Sequence, residues 1–232
     1  RDILKPMIDA TAASGASKHK RADLLLRWSE LQLEASSTGM AALKSLLQVL
    51  TLSKHDEMDG IHATALSLLA RLFLKMGHAK RALALLKSCI NQLVQHEHVH
   101  YQGEAMLTYA MCYMQLSNPK NDAWMEVTGE RGARPSSNQR KRDRLNALSF
   151  LRRAQELFEK CQDIHKLKQI HYLQARVCND LGADKLSQRD AASEKFLQAS
   201  RYLAQMRTDS ILDSLHIGGL QMLVGRKLPI GS

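Results

Sequence analysis

Apolar residues recur three and four positions apart along almost the whole chain, which is the spacing of an amphipathic α-helix. Only four prolines interrupt this spacing, and the strict alternation of apolar and polar residues that indicates strands is rare. The pattern therefore predicts an all-α chain. The predicted helices lie near residues 20–36, 39–54, 58–76, 79–95, 101–117, 144–161, 164–181 and 190–206.

The predicted helices form pairs, because the second helix of each pair carries the same small, large, small triplet at spacings of four and three. These spacings place the triplet on one helical face, where its small residues let a partner helix approach closely. The first helix of each pair also has a recurring feature, a small residue with bulky neighbours. This small residue is Ala70, Ala110 or Ala175 in the last three pairs. The triplets are Ala42, Leu46, Val49; Ala82, Leu86, Cys89; Ala147, Leu151, Ala154; and Ala192, Phe196, Ala199.

Helix pairs that recur at about 34 residues are typical of tetratricopeptide repeats. The predicted fold is an α-solenoid of about four such pairs in residues 1–206, followed by a C-terminal capping segment in residues 207–232 that includes one short helix ending at Gly218-Gly219. Gly77 is expected to end the first helix of the best-matched pair. The third pair contains some twenty-five extra residues, so we expect residues 118–143 to form an inserted, mobile, basic loop.

Two stretches resemble one particular family of repeat proteins. The run KCQDIHKLKQIHYLQARVCNDLG, from Lys160 to Gly182, is similar to the last repeats of the subunit 5 family of the anaphase-promoting complex. The run GEAMLTYAMC, from Gly103 to Cys112, resembles the start of the preceding repeat in that family. The resemblance implies a non-catalytic scaffold in a multisubunit ubiquitin ligase of the cell cycle, which binds other subunits through its superhelix in the nucleus and cytoplasm.

Composition favours a soluble folded protein, since 44% of the residues are hydrophobic and 24% are charged. The most apolar region, residues 61–76, is interrupted by charged side chains, which argues against a membrane span. Cys89, Cys112, Cys161 and Cys178 stand singly among apolar residues, a pattern typical of buried free thiols in a reducing compartment. Because the chain begins with Arg1, we expect it to be part of a longer polypeptide.

The formal net charge of +10 raises the question of nucleic-acid binding. Much of this charge lies in the segment from Arg131 to Arg144, which holds six basic residues and one acidic residue. The segment contains no aromatic side chain on which a base could stack, so specific nucleic-acid binding is not expected. Its Arg140-Lys141-Arg142 run is either a solvated loop, a nuclear-import signal or a phosphate-binding patch.

One motif would indicate an enzyme. His96, Glu97 and His100 match the two-histidine pattern of zinc proteases, which requires both histidines on one continuous helix and a third ligand. Met106 stands where the third histidine is expected, and the repeat frame places His96 and His100 on either side of a turn between helices. We therefore expect no catalytic residues, metal, cofactor or small-molecule substrate.

The remaining candidates concern protein binding. In repeats of this type Arg71 and Arg176 occupy a position that usually faces the concave groove, and Lys75 lies one turn beyond Arg71. Such a groove would bind an acidic peptide through its arginines, although each arginine could equally be solvated or paired within the chain. The alternative function is therefore a peptide-binding adaptor or co-chaperone. The groove candidates are Arg71, Lys75, Met111, Arg176 and Asn179.

Overall fold

A computed structural model describes residues 17–96, 98–118 and 136–224, with side chains up to residue 208. Within these residues the chain is all-helical, with eight α-helices, two short 3-10 turns and no strand. The helices are α1 (Lys18–Ala35), α2 (Leu43–His55), α3 (Asp59–Lys75), α4 (Ala79–Gln95), α5 (Val99–Ser117), α6 (Ser137–Cys161), α7 (Ile164–Leu181) and α8 (Leu186–Val224). The all-α prediction is confirmed.

Each helix packs against its neighbours in the chain, and the first helices α1, α3 and α5 also contact one another in succession. Three apolar clusters follow the same order: one joins α1 to α3, one joins α3 to α5, and one joins α5 to α7. This arrangement of local contacts is compatible with a helical solenoid, in which each unit depends mainly on its neighbours.

The predicted seams between paired helices are buried. All three residues of the first three triplets, from Ala42 to Ala154, are completely inaccessible to solvent. In the fourth triplet Ala192 is buried, whereas Phe196 and Ala199 are half-buried. The seam is therefore less tightly packed at α8. Among the described residues, this helix contacts mainly α7 and the short 3-10 turn that precedes it.

Glycines allow two of these helices to end or to pack closely. Gly77 has a φ of 88°, and the amide of the next residue, His78, donates to the Phe73 carbonyl at 2.8 Å. This is the hydrogen bond of a Schellman cap, so the predicted end of α3 is confirmed. Gly103 has another role: a Cβ atom there would lie 2.9 Å from the ring of Phe158, so α5 and α6 meet at a distance that only glycine permits.

Two predicted boundaries differ from the structure. Helix α6 begins at Ser137, inside the segment predicted as a loop, because the Ser136 hydroxyl accepts a hydrogen bond from the Gln139 amide and caps the helix. Residues 119–135 of that segment lie outside the described residues. Helix α8 runs through the predicted boundary at residue 206 and continues past Gly218-Gly219 to Val224, so the separate short helix is not observed. Between Leu186 and Gly218 the sequence contains no proline or glycine that would end α8.

Overpacking the seams tests the helix pairing. Ala82→Leu and Ala154→Leu each place a larger side chain at a site with no accessible surface, so each should reduce the free energy of unfolding by about 1–3 kcal/mol. Urea denaturation measures the loss. Ala84→Leu is the matched control, because Ala84 lies on the same helix as Ala82 but is exposed. A loss at Ala84 as large as that at Ala82 would contradict the pairing.

Candidate protein-interaction surface

Charged side chains from α1, α3, α5 and α7, the first helices of the four pairs, lie close together. We call this group the charge cluster. It consists of Glu34 on α1, Arg71 on α3, Glu104 on α5 and Lys166 on α7. Arg71 lies 3.3 Å from a carboxylate oxygen of Glu104 and 3.7 Å from one of Glu34. Lys166 contacts Glu104 directly and lies 4.0 Å from Glu34. Two carboxylates and two cations therefore neutralise each other.

The charge cluster is buried to different depths. The side chain of Glu104 is 4% exposed, and those of Arg71 and Lys166 are 14% and 18% exposed, whereas that of Glu34 is 49% exposed. Taking a carboxylate out of water costs several kcal/mol unless opposite charges compensate it. Glu104 is thus retained as a buried charge because one cation approaches it from α3 and another from α7.

The side chains of the charge cluster interact mainly through electrostatic attraction rather than through well-aligned hydrogen bonds. The Nη1 atom of Arg71 and the Oε1 atom of Glu104 are buried, and neither has a well-oriented hydrogen-bond partner among the described residues. Close opposite charges still attract strongly where water is excluded. The stability of this face therefore depends mainly on the buried Glu104 and the two cations beside it.

A further carboxylate borders the charge cluster. Glu30 lies one turn before Glu34 on α1, and its burial raises its pKa above the usual value of 4.5. The negative charge of Glu104 raises this pKa further, while His100 and Arg71 oppose the shift. Glu30 consequently holds its proton to a higher pH in the folded protein than in the unfolded chain.

Lys75, a predicted groove residue, ties α3 to the end of α1. Its ammonium group contacts the carbonyl oxygen of Leu33 and donates to that of Ser36 at 3.0 Å. Carbonyls at the end of a helix lack partners within the helix, so a cation there stabilises the helix. Burial, with a smaller contribution from Arg71, lowers the pKa of Lys75.

The other three groove candidates lie in different surroundings. Met111 is half-buried and packs against the apolar cluster of α5 to α7. The side-chain oxygen of Asn179 accepts from Arg189 of α8 at 3.5 Å. Arg176 is exposed and makes no hydrogen bond or ion pair with any residue that the structure describes. The five candidates therefore do not line one open groove.

The structure separates the two histidines of the protease-like motif, as predicted. His96 follows the end of α4, and its ring lies against Gly60 of α3. His100 lies in the first turn of α5, with its ring packed edge-on against Phe158 at 5.6 Å between centroids. The Gln102 amide bridges the turn by donating to the His96 carbonyl at 3.0 Å. Glu97 lies outside the described residues.

Possible metal ligands and free thiols are the remaining candidates among the described residues. No three His, Cys, Asp or Glu side chains in that part of the chain are placed to hold a metal ion. Three of the four free cysteines are buried as predicted, and burial raises the pKa of Cys89 to about 11 and that of Cys112 to about 12. The prediction that Cys161 is buried is wrong. Its side chain is exposed, because it is the last residue of α6 and a turn follows it.

Comparisons with known proteins add no assignment: neither the models of known protein families nor the curated proteins include a match to this chain. In the part of the chain that the structure describes, no helix is both long enough and apolar enough to cross a membrane.

Removing the buried carboxylate should destabilise the protein more than removing the exposed one. Glu104→Gln removes the carboxylate that lies nearest to Arg71 and Lys166 and leaves them beside the half-exposed Glu34, so we expect the free energy of unfolding to fall by about 3–5 kcal/mol. Glu34→Gln is the matched control and should cost less than about 1 kcal/mol, since its side chain is half-exposed. Urea denaturation of both variants measures the difference. Equal losses would mean that the charge cluster is not buried as described.

Glu30 should give the protein a recognisable pH dependence. Its raised pKa means that ionisation is less favourable in the folded state, so its contribution to stability is complete below its unfolded pKa and is lost as the pH rises through its folded pKa. Glu30→Gln removes this loss. The variant should therefore gain stability relative to the parent as the pH rises from 4 towards neutrality. Urea denaturation at a series of pH values measures this, and a difference that does not change with pH would contradict the assignment.

Proposed function

We propose that this protein is a non-catalytic scaffold built from tetratricopeptide-like helix pairs. The small, large, small seams and the Schellman cap at Gly77 support the repeat assignment. Helix pairs stacked in this way present long surfaces that are suited to holding other proteins. The observation that carries the proposal is the charge cluster, because it occupies the face where a groove-binding adaptor would need free cations.

We further propose that the scaffold belongs to the anaphase-promoting complex, a ubiquitin ligase of the cell cycle, in the nucleus and cytoplasm. This assignment rests on the resemblance of residues 103–112 and 160–182 to the subunit 5 family of that complex. Both runs have a structural role here: the first forms the buried part of α5, and the second spans the turn into α7 and most of its buried face. Other protein subunits of the complex would be the partners.

The alternative is a peptide-binding adaptor or co-chaperone. In that case Arg71 and Lys75 would receive the acidic side chains of a client peptide. Arg71 already contacts two carboxylates of its own chain, and Lys75 is bonded to the end of α1. A client would have to displace these partners, which weighs against the adaptor.

Purification from cells distinguishes the two functions. We expect the tagged full chain to retain stoichiometric amounts of ubiquitin-ligase subunits in high salt, since permanent partners bury large apolar surfaces that salt does not weaken. A client held by charged groups would instead be released by salt. Mass spectrometry of the eluted proteins, with the tag alone as the control, identifies the partners. Recovery of a chaperone or of no ubiquitin-ligase subunit would contradict the scaffold proposal.

A further inference from the structure

A second charged feature lies away from the charge cluster, in a cavity of about 510 Å³ between three helices. Its walls come from the end of α5, the first half of α6 and the end of α7. Ser117 and Asn118 line the first wall, Arg144 the second, and Arg176 and Asp180 the third. A volume of this size is typical of cavities that receive a ligand or several side chains of a partner.

Arg144 is held at the wall of this cavity but is incompletely bonded. Its Nη1 atom donates to the carbonyl oxygen of Asp180 at 2.8 Å, which fixes the guanidinium at the end of α7. Its Nε atom is buried and has no hydrogen-bond partner among the described residues. A buried N–H group without an acceptor carries an energetic penalty, so the Arg144 guanidinium retains unused hydrogen-bonding capacity beside the cavity.

Arg176 supplies a second guanidinium to the same cavity. It lies one turn before Asp180 on α7, and its side chain is exposed without a bonded partner among the described residues. Asp180 is the one acidic residue among the described residues that line the cavity, so within this part of the chain two positive charges face one negative charge. The excess positive charge favours an anionic group.

We propose that this cavity is a docking site for an acidic side chain, Asp or Glu, of a partner protein. Guanidinium groups match the planar carboxylate and can donate two parallel hydrogen bonds to it. None of the described residues that line the cavity is aromatic, so among them a nucleic-acid base would have no surface on which to stack. The inference rests on the proposed function in one respect, that the occupant is supplied by another protein.

Binding of a simple acidic peptide to the full chain tests the site. The probe is a fluorescein-labelled peptide of six glutamates, measured by fluorescence anisotropy near physiological ionic strength, with a peptide of six glutamines for comparison. Arg176→Gln and Arg144→Gln should each weaken binding of the glutamate peptide by about ten-fold or more, because each removes a charge-assisted hydrogen-bond donor. Arg176→Gln is decisive, since its exposed side chain supports no described contact in the fold.

Arg142→Gln is the matched control, because it removes the same charge from an exposed position two residues from Arg144 on the same helix. It should change the affinity by less than about two-fold, since Arg142 does not line the cavity and a charge outside the site is screened at this ionic strength. An equal loss in Arg142→Gln, or no loss in Arg176→Gln, would overturn the site. Displacement of the peptide by inorganic phosphate and by acetate tests the preference for carboxylates. If phosphate displaced the peptide at a far lower concentration than acetate did, the cavity would not be a carboxylate site.

The two proposals can fail separately. If the chain keeps its salt-resistant partners in cells but Arg176→Gln does not affect peptide binding, the docking site is wrong and the scaffold stands. If the peptide binds through Arg144 and Arg176 but no ubiquitin-ligase subunit is recovered, the cavity is a carboxylate site and the scaffold assignment is wrong.

Discussion

The close approach of paired helices is the constraint on which the rest of this structure depends. At the seam between α5 and α6, a hydrogen atom at Gly103 is all that fits against the ring of Phe158. Glu104 follows in the next position, so the packing that brings α5 onto α6 also carries a carboxylate out of water. Once buried, this carboxylate requires cations, and Arg71 and Lys166 supply them. The packing of small residues and the electrostatics of the neighbouring face are therefore two consequences of one contact.

The helices and their seams could be predicted because they depend on local spacing. Apolar residues three and four apart determine which face of a helix is buried, and the nine residues from Ala42 to Ala154 at three of the predicted seams are all inaccessible. The extent of α6 and α8 could not be predicted in this way. The start of α6 is rich in charged residues, and a helix whose side chains are mostly solvated has no apolar stripe to reveal it. Its signal was the capping serine at residue 136.

The histidine motif and the charge cluster also differ in how far the sequence predicts them. The separation of His96 from His100 follows from the phase of neighbouring helices, so the sequence was sufficient to predict it. The charge cluster joins α1 to α7, which are far apart in the chain, and their proximity depends on how the intervening helices stack. No local pattern contains that information. A partial signal was present in Glu104, a lone carboxylate within the apolar run GEAMLTYAMC.

The neutrality of the charge cluster also decides where partners can be attracted. Because Glu34 and Glu104 cancel Arg71 and Lys166 within the fold, these four side chains contribute no net charge to a protein whose formal charge is +10. The uncompensated positive charge includes the exposed Lys141 at the start of α6 and the exposed Arg176 on α7. Electrostatic complementarity mainly accelerates and orients association, whereas buried apolar area holds the complex together. In the proposed scaffold, an acidic partner would thus be guided first to the edge formed by α6 and α7, and the lasting contact would form on the apolar surfaces of the helices.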